Sequence, residues 1–223
     1  MANDYFRFKQ FTLWQSRCAM KVGTDGTLLG AWAAGGRRVL DIGTGTGLIA
    51  LMMAQRFPEA SVRGIDIDSD AVGQAHENVA ASPFKDRVTI DRCDVKDAEG
   101  CYDAIVSNPP YFVDALTCPD EKRTMARHTG TLTYAMLMQH GWRLLADEGL
   151  FSLVIPFECK GTLESEAALT GFFKVRECAV QTKATKPPRR FLLAFAKHPQ
   201  TLVKENIVLG TEAYRELTKY FYL

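Results

Sequence analysis

The stretch from Arg38 to Gly47 reads Arg-Val-Leu-Asp-Ile-Gly-Thr-Gly-Thr-Gly, and it constrains the chain more than any other segment. A short apolar run that ends in three glycines at alternate positions cannot continue as a strand. Glycine weakens strand packing, and it admits backbone conformations closed to other residues. Leu48 to Phe57 follows with apolar residues at helical spacing and stops at Pro58. The segment therefore predicts a buried strand, a tight glycine turn and a buried helix. That is the opening of a βαβ unit in a sheet covered on both faces.

The rest of the chain continues the alternation. Ser61 to Ile67 reads as a strand and Asp70 to Ala81 as a helix capped by Asp68 or Ser69. Val88 to Asp91 and Tyr102 to Val106 read as strands. A long irregular stretch runs from Asn108 to about Gly130, a length common in lids and binding loops. Leu132 to Ala146 is expected to be helical, Leu150 to Ile155 a strand and Thr162 to Leu169 a helix. Phe173 to Thr182 and Arg190 to Ala196 are two last strands, joined by too short a turn for a parallel crossover and so antiparallel. The expectation is an α/β fold with a mostly parallel seven-stranded sheet, a C-terminal antiparallel hairpin and helices on both faces. Residues 1–37 are expected to form an N-terminal arm, 38–200 the main domain, and 201–223 a Tyr- and Phe-rich tail packed on it.

Composition excludes several classes. With 223 residues, 47% hydrophobic and 24% charged, the chain can bury a core without a metal or disulfide staple. A net charge of +1 excludes recognition of nucleic acid through bulk basicity, so any such site must come from local clusters. The 6 cysteines form no C-x-x-C pair and the 4 histidines are scattered, so no metal is expected and the thiols are read as free in a reducing cytosol. No basic-then-apolar leader opens the sequence and no apolar run approaches the ~20 residues that span a bilayer. A cytoplasmic chain with no membrane contact and no obligatory protein partner is expected.

Sheets of this kind bind ligands beyond the carboxyl ends of their strands, and each motif falls there. The glycine turn contains Gly43, Thr44, Gly45 and Gly47, preceded by Asp41. About 20 residues further on, the second strand ends in Asp66 followed by Ile67, a carboxylate suited to the two hydroxyls of a ribose. A nicotinamide dinucleotide site also wants these features. Its fingerprint, however, needs a glycine where Leu48 stands, and its anionic pyrophosphate gains nothing from Asp41. S-adenosylmethionine (SAM), with its sulfonium and ammonium groups, suits such a carboxylate. The pattern resembles motif I of the class I SAM-dependent methyltransferases. That resemblance implies a Rossmann-like fold, with Asp66 on the ribose and Asp94, just after the third strand, on the adenine amino group.

The fourth strand runs into Asn108-Pro109-Pro110-Tyr111. An amino group on an aromatic ring is a poor nucleophile because its lone pair is delocalised. The Asn108 side-chain oxygen and the Pro109 carbonyl can accept from its two hydrogens. The paired prolines fix the backbone that carries those carbonyls, and Tyr111 can stack on the base. The string resembles motif IV of the amino-methyltransferases, which act on adenine N6, cytosine N4 or a glutamine amide. It implies the reaction and leaves the substrate open.

Basic residues interleave with aromatics in three places. They are the N-terminus (Arg7, Lys9, Arg17 and Lys21 among Tyr5, Phe6, Phe8, Phe11 and Trp14), the Arg127-His128 pair, and the turn with Lys183, Lys186, Arg189 and Arg190. Such mixtures suit phosphate contact with base stacking. Four segments then narrow the resemblance: Phe6 to Phe11, Met20 to Gly26 with Leu28 to Trp32, Ala126-Arg127-His128, and the closing Leu217 to Leu223. Together they resemble the bacterial tRNA(Val) adenine-N6 methyltransferase family over nearly the whole chain. The resemblance implies tRNA as partner, with the target at adenine 37 in the anticodon loop. It also implies a cofactor cover at residues 22–25, with Lys21 and Thr24 among the SAM contacts. The family commonly has Asp where this chain has Tyr220.

Other readings remain open at this level. A ribosomal RNA adenine methyltransferase would use the same motifs. A glutamine methyltransferase of a release factor would too, although about 37 residues before the first strand leave little room for its helical substrate domain. A non-catalytic SAM- and RNA-binding module is a further alternative, against which the intact motifs weigh.

Overall fold

The computed structural model describes residues 4–18, 21–110 and 132–222. A short antiparallel ribbon of β1 (Tyr5–Arg7) and β2 (Thr12–Trp14) precedes α1 (Thr24–Trp32). The main alternation is β3 (Arg38–Ile42), α2 (Leu48–Arg56), β4 (Ser61–Asp66), α3 (Ser69–Ala80), β5 (Val88–Arg92) and β6 (Tyr102–Ser107). Then come α4 (Tyr134–Leu144), β7 (Leu145–Pro156), α5 (Lys160–Thr170), β8 (Phe173–Gln181) and β9 (Arg190–Ala196). β10 (Val203–Val208) and α6 (Glu212–Thr218) complete the chain.

The large sheet has the order β10-β8-β9-β7-β6-β3-β4-β5. β5, β4, β3, β6 and β7 are parallel to their neighbours, whereas β9 runs antiparallel to both β7 and β8. The chain leaves β3 for β4 on one side and returns at β6 on the other. The connections leaving β3 and β6 therefore diverge and open a crevice at the carboxyl ends of these two strands.

Alternation along the strands supplies two cores. Val39, Ala104, Val106 and Val154 face a cluster covered by α1, α2, α3 and α6, while Leu40, Ile105, Leu153 and Ile155 face a second cluster under α4 and α5. Asp68 caps α3 by accepting the amide of Asp70 at 2.9 Å, as the sequence suggested.

The sheet has eight strands, one more than the sequence pattern gave, because part of the expected tail is structured. β10 pairs in parallel with β8, α6 follows, and Phe221 is buried in the first core. Val-Lys-Glu-Asn-Ile-Val hides its strand character because it sits at a sheet edge, where exposed charged side chains protect unpaired backbone. α1 was also unmarked by periodicity. It is buried all round from Gly26 to Trp32, so it has no polar face to betray its period. A Cβ on Gly30 would come within 2.7 Å of Met52 Sδ, which shows how closely α1 approaches α2.

Candidate cofactor and substrate site

The loops after β3, β4, β5 and β6 are stitched together by hydrogen bonds. The amides of Gly43 and Thr44 both donate to the carbonyl of Ile65, at 2.9 and 3.0 Å, and the amide of Cys93 donates to the carbonyl of Asp66 at 3.0 Å. Ser107 Oγ donates to the carbonyl of Ile42 at 2.9 Å, joining the fourth loop to the first. Gly43, Gly45 and Gly47 have φ of +71°, +55° and +82°, so all three occupy the left-handed region that excludes most side chains. Gly47 in that conformation also serves as the cap from which α2 starts.

These loops and the start of α1 enclose a cavity of about 790 Å³. Of the residues singled out from the sequence, Gly43, Thr44, Gly45, Asp66, Ile67 and Asp94 line it. So do Lys21 and Thr24 on the side of α1, and Asn108 and Pro110 at the end of β6. Pro109 is buried behind them. Tyr111, Arg127 and His128 lie outside the described residues.

Asp66 is half-buried and uses each oxygen once: Oδ2 accepts the Gly45 amide at 2.9 Å and Oδ1 the Asp68 amide at 3.0 Å. A carboxylate has about four lone-pair sites, so it retains acceptor capacity towards the cavity. Asp94 accepts the Lys96 amide through Oδ1 at 3.0 Å and faces Lys96 Nζ at 3.2 Å through Oδ2.

Asp41 is held apart from the cavity. It is fully buried beneath the glycine turn, where Oδ2 accepts Thr44 Oγ1 at 2.7 Å and the Ala50 amide at 3.1 Å. Among the described residues, Oδ1 has no hydrogen-bond partner. Burial pushes its carboxyl up to about 7; the bonds from Thr44 and Ala50 oppose that shift and the nearby charge of Asp66 adds to it. The residue braces the turn from below rather than lining the cavity.

The basic turn is divided. Lys183, Lys186 and Arg189 are exposed, whereas Arg190 reaches back and donates through Nε to Asp25 Oδ2 at 2.8 Å. Asp25 lies in the first turn of α1 and lines the cavity. Among the described residues, no group of three or more His, Cys, Asp and Glu could hold a metal ion, and no helix is long and apolar enough to cross a membrane.

Two supporting residues escaped the sequence reading. Gly64 pairs with Asp41 across β3 and β4, and a Cβ there would come within 2.7 Å of Thr44 Oγ1. A glycine inside a strand is a sign of such close approach. Asn78 is fully buried and donates through Nδ2 to the Thr46 carbonyl at 2.9 Å. It interrupts the apolar stripe of Val72, Ala75 and Val79 in α3, and that interruption was legible. Asp25 falls within the cover at residues 22–25 that the resemblance implies, and only its bond to Arg190 is new.

The geometry fits SAM. An added Cβ at Gly43 or Gly45 would meet nothing within 4 Å, so these two backbones face open space that a side chain would fill. A half-buried carboxylate stands beside them at Asp66, and a second acid, Asp94, lines the same cavity.

The comparisons with known proteins agree with this architecture. The family model described as methyltransferase small domain matches residues 27–184. The chain is 47% identical to the tRNA1(Val) (adenine(37)-N6)-methyltransferase of Bacteroides thetaiotaomicron, covering 100% of this chain and 99% of that protein. It is 48% identical to the enzyme of the same description from Phocaeicola vulgatus, with the same coverage of each. Among solved structures, a protein described as a predicted O-methyltransferase from Agrobacterium tumefaciens superposes with a TM-score of 0.69 at 16% identity. That match covers 88% of this chain and 96% of the other, a likeness of fold.

Proposed function

This chain belongs to the family of tRNA1(Val) (adenine(37)-N6)-methyltransferases, and from that premise we propose that it methylates the exocyclic N6 of adenine 37 in the anticodon loop of a valine tRNA. The observation that carries the reading is that Asp66 and Asn108 line one cavity. An acid suited to a ribose and an amide suited to a planar amino group thus face the same space.

SAM, when bound, supplies a methyl group made electrophilic by its sulfonium. Asp66 accepts from the ribose hydroxyls, Asp94 accepts from the adenine amino group of the cofactor, Gly43, Thr44, Gly45 and Ile67 shape the floor and wall, and Gly47 turns the chain from that floor into α2. Lys21 and Thr24, in the N-terminal arm of residues 1–37, belong to the cover. Residues 38–200 form the catalytic domain, and 201–223 complete it with the edge strand β10 and α6. Asp41 acts as a positioning residue for the turn.

Asn108 through its side-chain oxygen and Pro109 through its carbonyl accept from the two amino hydrogens of the target adenine. This orients the nitrogen lone pair toward the methyl group. Positioning and preorganised acceptors supply most of the rate in such a site. The chain needs no dedicated base, because one amino proton can leave to water after transfer. Pro110 stiffens the segment and Tyr111 stacks on the base. Arg127, His128, Lys183, Lys186 and Arg189 contact RNA phosphates, and the reaction takes place in the cytoplasm. An anticodon-loop adenine is already unpaired, which lowers the cost of bringing it into a pocket.

The test is methyl transfer from labelled SAM to unmodified tRNA transcripts, followed by nucleoside mass spectrometry. N6-methyladenosine is expected in valine tRNA and absent from a transcript with guanosine at position 37. Label at another nucleotide, or in a release factor instead of RNA, overturns the substrate.

A further inference from the structure

The N-terminal ribbon sorts its residues by alternation. Leu13 is fully buried and Phe6 packs on the same core, which turns Tyr5, Arg7, Thr12 and Trp14 to the opposite face. Tyr5 pairs with Trp14 across the ribbon and Arg7 with Thr12. The rings of Tyr5 and Trp14 lie 5.3 Å apart, tilted by 50°, and remain 48% and 46% exposed. Among the described residues this is the only contacting ring pair with both members exposed, so core packing does not account for it. Arg7 beside them is exposed and has no hydrogen bond or ion pair among the described residues.

The ribbon is clamped to the site through one side chain. The Trp14 amide donates to Asn78 Oδ1 at 2.8 Å, and Asn78 Nδ2 donates to the Trp14 carbonyl at 2.8 Å and to the Thr46 carbonyl at 2.9 Å. Asn78 thus fixes the ribbon and the glycine turn to each other. A little further along the chain from Trp14, Cys18 already lines the cavity.

Two exposed rings with an unpaired guanidinium beside them match a nucleotide: rings for a base, cation for a phosphate. We propose that Tyr5, Trp14 and Arg7 form a stacking platform for an unpaired nucleotide of the substrate RNA that flanks the methylated base. The inference rests on the reading of the chain as a tRNA methyltransferase. Base stacking on aromatics tolerates any sequence, so the platform contributes affinity and register rather than base identity.

The experiment uses the full chain, SAM and an unmodified valine tRNA transcript, with Tyr5→Ala, Trp14→Ala, Trp14→Phe and Arg7→Gln. Trp14→Ala and Tyr5→Ala are each expected to raise the Kd and KM for tRNA roughly 10-fold. The Kd for SAM and kcat at saturating tRNA stay unchanged, and Trp14→Phe recovers most of the loss. Arg7→Gln is expected to flatten the dependence of log Kd on log salt by about 0.7, the effect of one phosphate on a single strand. Its side chain has no hydrogen bond or ion pair among the described residues, so it decides the matter even if a ring variant unfolds. Unchanged tRNA Kd and KM in the folded variants overturn the platform and leave the rings as a cross-strand brace, seen only in Tm. Wild-type protein that methylates no tRNA overturns the functional reading itself, an outcome visible before any variant is made.

Discussion

Asp66 Oδ2 accepts the amide of Gly45 at 2.9 Å, so the carboxylate that faces the cavity also shapes the glycine turn opposite it. Ligand acceptor and loop brace are one group. Asp66→Ala removes both, and hydrogen bonds to a charged acceptor contribute about 1.5–3 kcal/mol each. The SAM Kd is therefore expected to rise by roughly 10- to 100-fold, measured by calorimetry. Asp66→Asn keeps one carbonyl acceptor and should fall between the two. An unchanged Kd in Asp66→Ala removes the residue from the cofactor site.

Asn108 lines the same cavity, on the loop that Ser107 ties to β3 through the Ile42 carbonyl. Its expected task begins only when the target amine is present. Asn108→Ala should lower kcat by about 100- to 1,000-fold, the usual cost of losing one preorganised partner. The SAM Kd should move little. Loss of SAM binding in parallel with kcat would make Asn108 part of the cofactor wall and leave the amine without its acceptor.

The buried carboxyl of Asp41 gives a pH signature. Its folded value of about 7 lies well above the unfolded value near 3.9. Between those values the folded chain holds a proton that the unfolded chain has released, so this group's contribution to stability falls as pH rises. The contribution is fully present below about pH 4, is lost on rising through about 7 and is level above that. Asp41→Asn keeps an oxygen for Thr44 and Ala50 and does not titrate. The Tm of the wild type relative to this variant should decline between pH 5 and 8, by differential scanning in matched buffers. Parallel profiles would show that Asp41 titrates alike in both states.

What the sequence disclosed follows from how local each signal is. The turn from Gly43 to Gly47 needs left-handed backbone at three positions, which leaves a mark that no packing context can hide. The buried strands β3 and β6 are short apolar runs ending at polar or glycine residues, and they were equally plain. β10 and α1 were not, because the first is an edge strand with charged faces and the second has no polar face at all. In the site, Asp41 and Asp66 look alike in sequence, each an acid at or near a strand end. Only the tertiary structure buries one and exposes the other to the cavity. The four basic residues of the β8–β9 turn look equivalent for the same reason. Which of them is turned inward depends on Asp25, far away in the chain.

That difference between neighbours can be measured. Lys186 and Arg189 are exposed, whereas Arg190 holds Asp25 at 2.8 Å and so anchors the first turn of α1, part of the cavity wall. Lys186→Gln and Arg189→Gln are expected to weaken tRNA binding and to flatten its salt dependence by about 0.7–0.9 per phosphate lost, with SAM affinity untouched. Arg190→Met leaves Asp25 without this guanidinium and weakens the hold on the first turn of α1. It should raise the SAM Kd several-fold while leaving the salt slope for tRNA near its wild-type value. The pair is partly exposed, so the effect is expected to stay at or below about 1 kcal/mol. A steep loss of salt dependence in Arg190→Met, with SAM Kd unchanged, would reverse the assignment and return Arg190 to the RNA-facing surface.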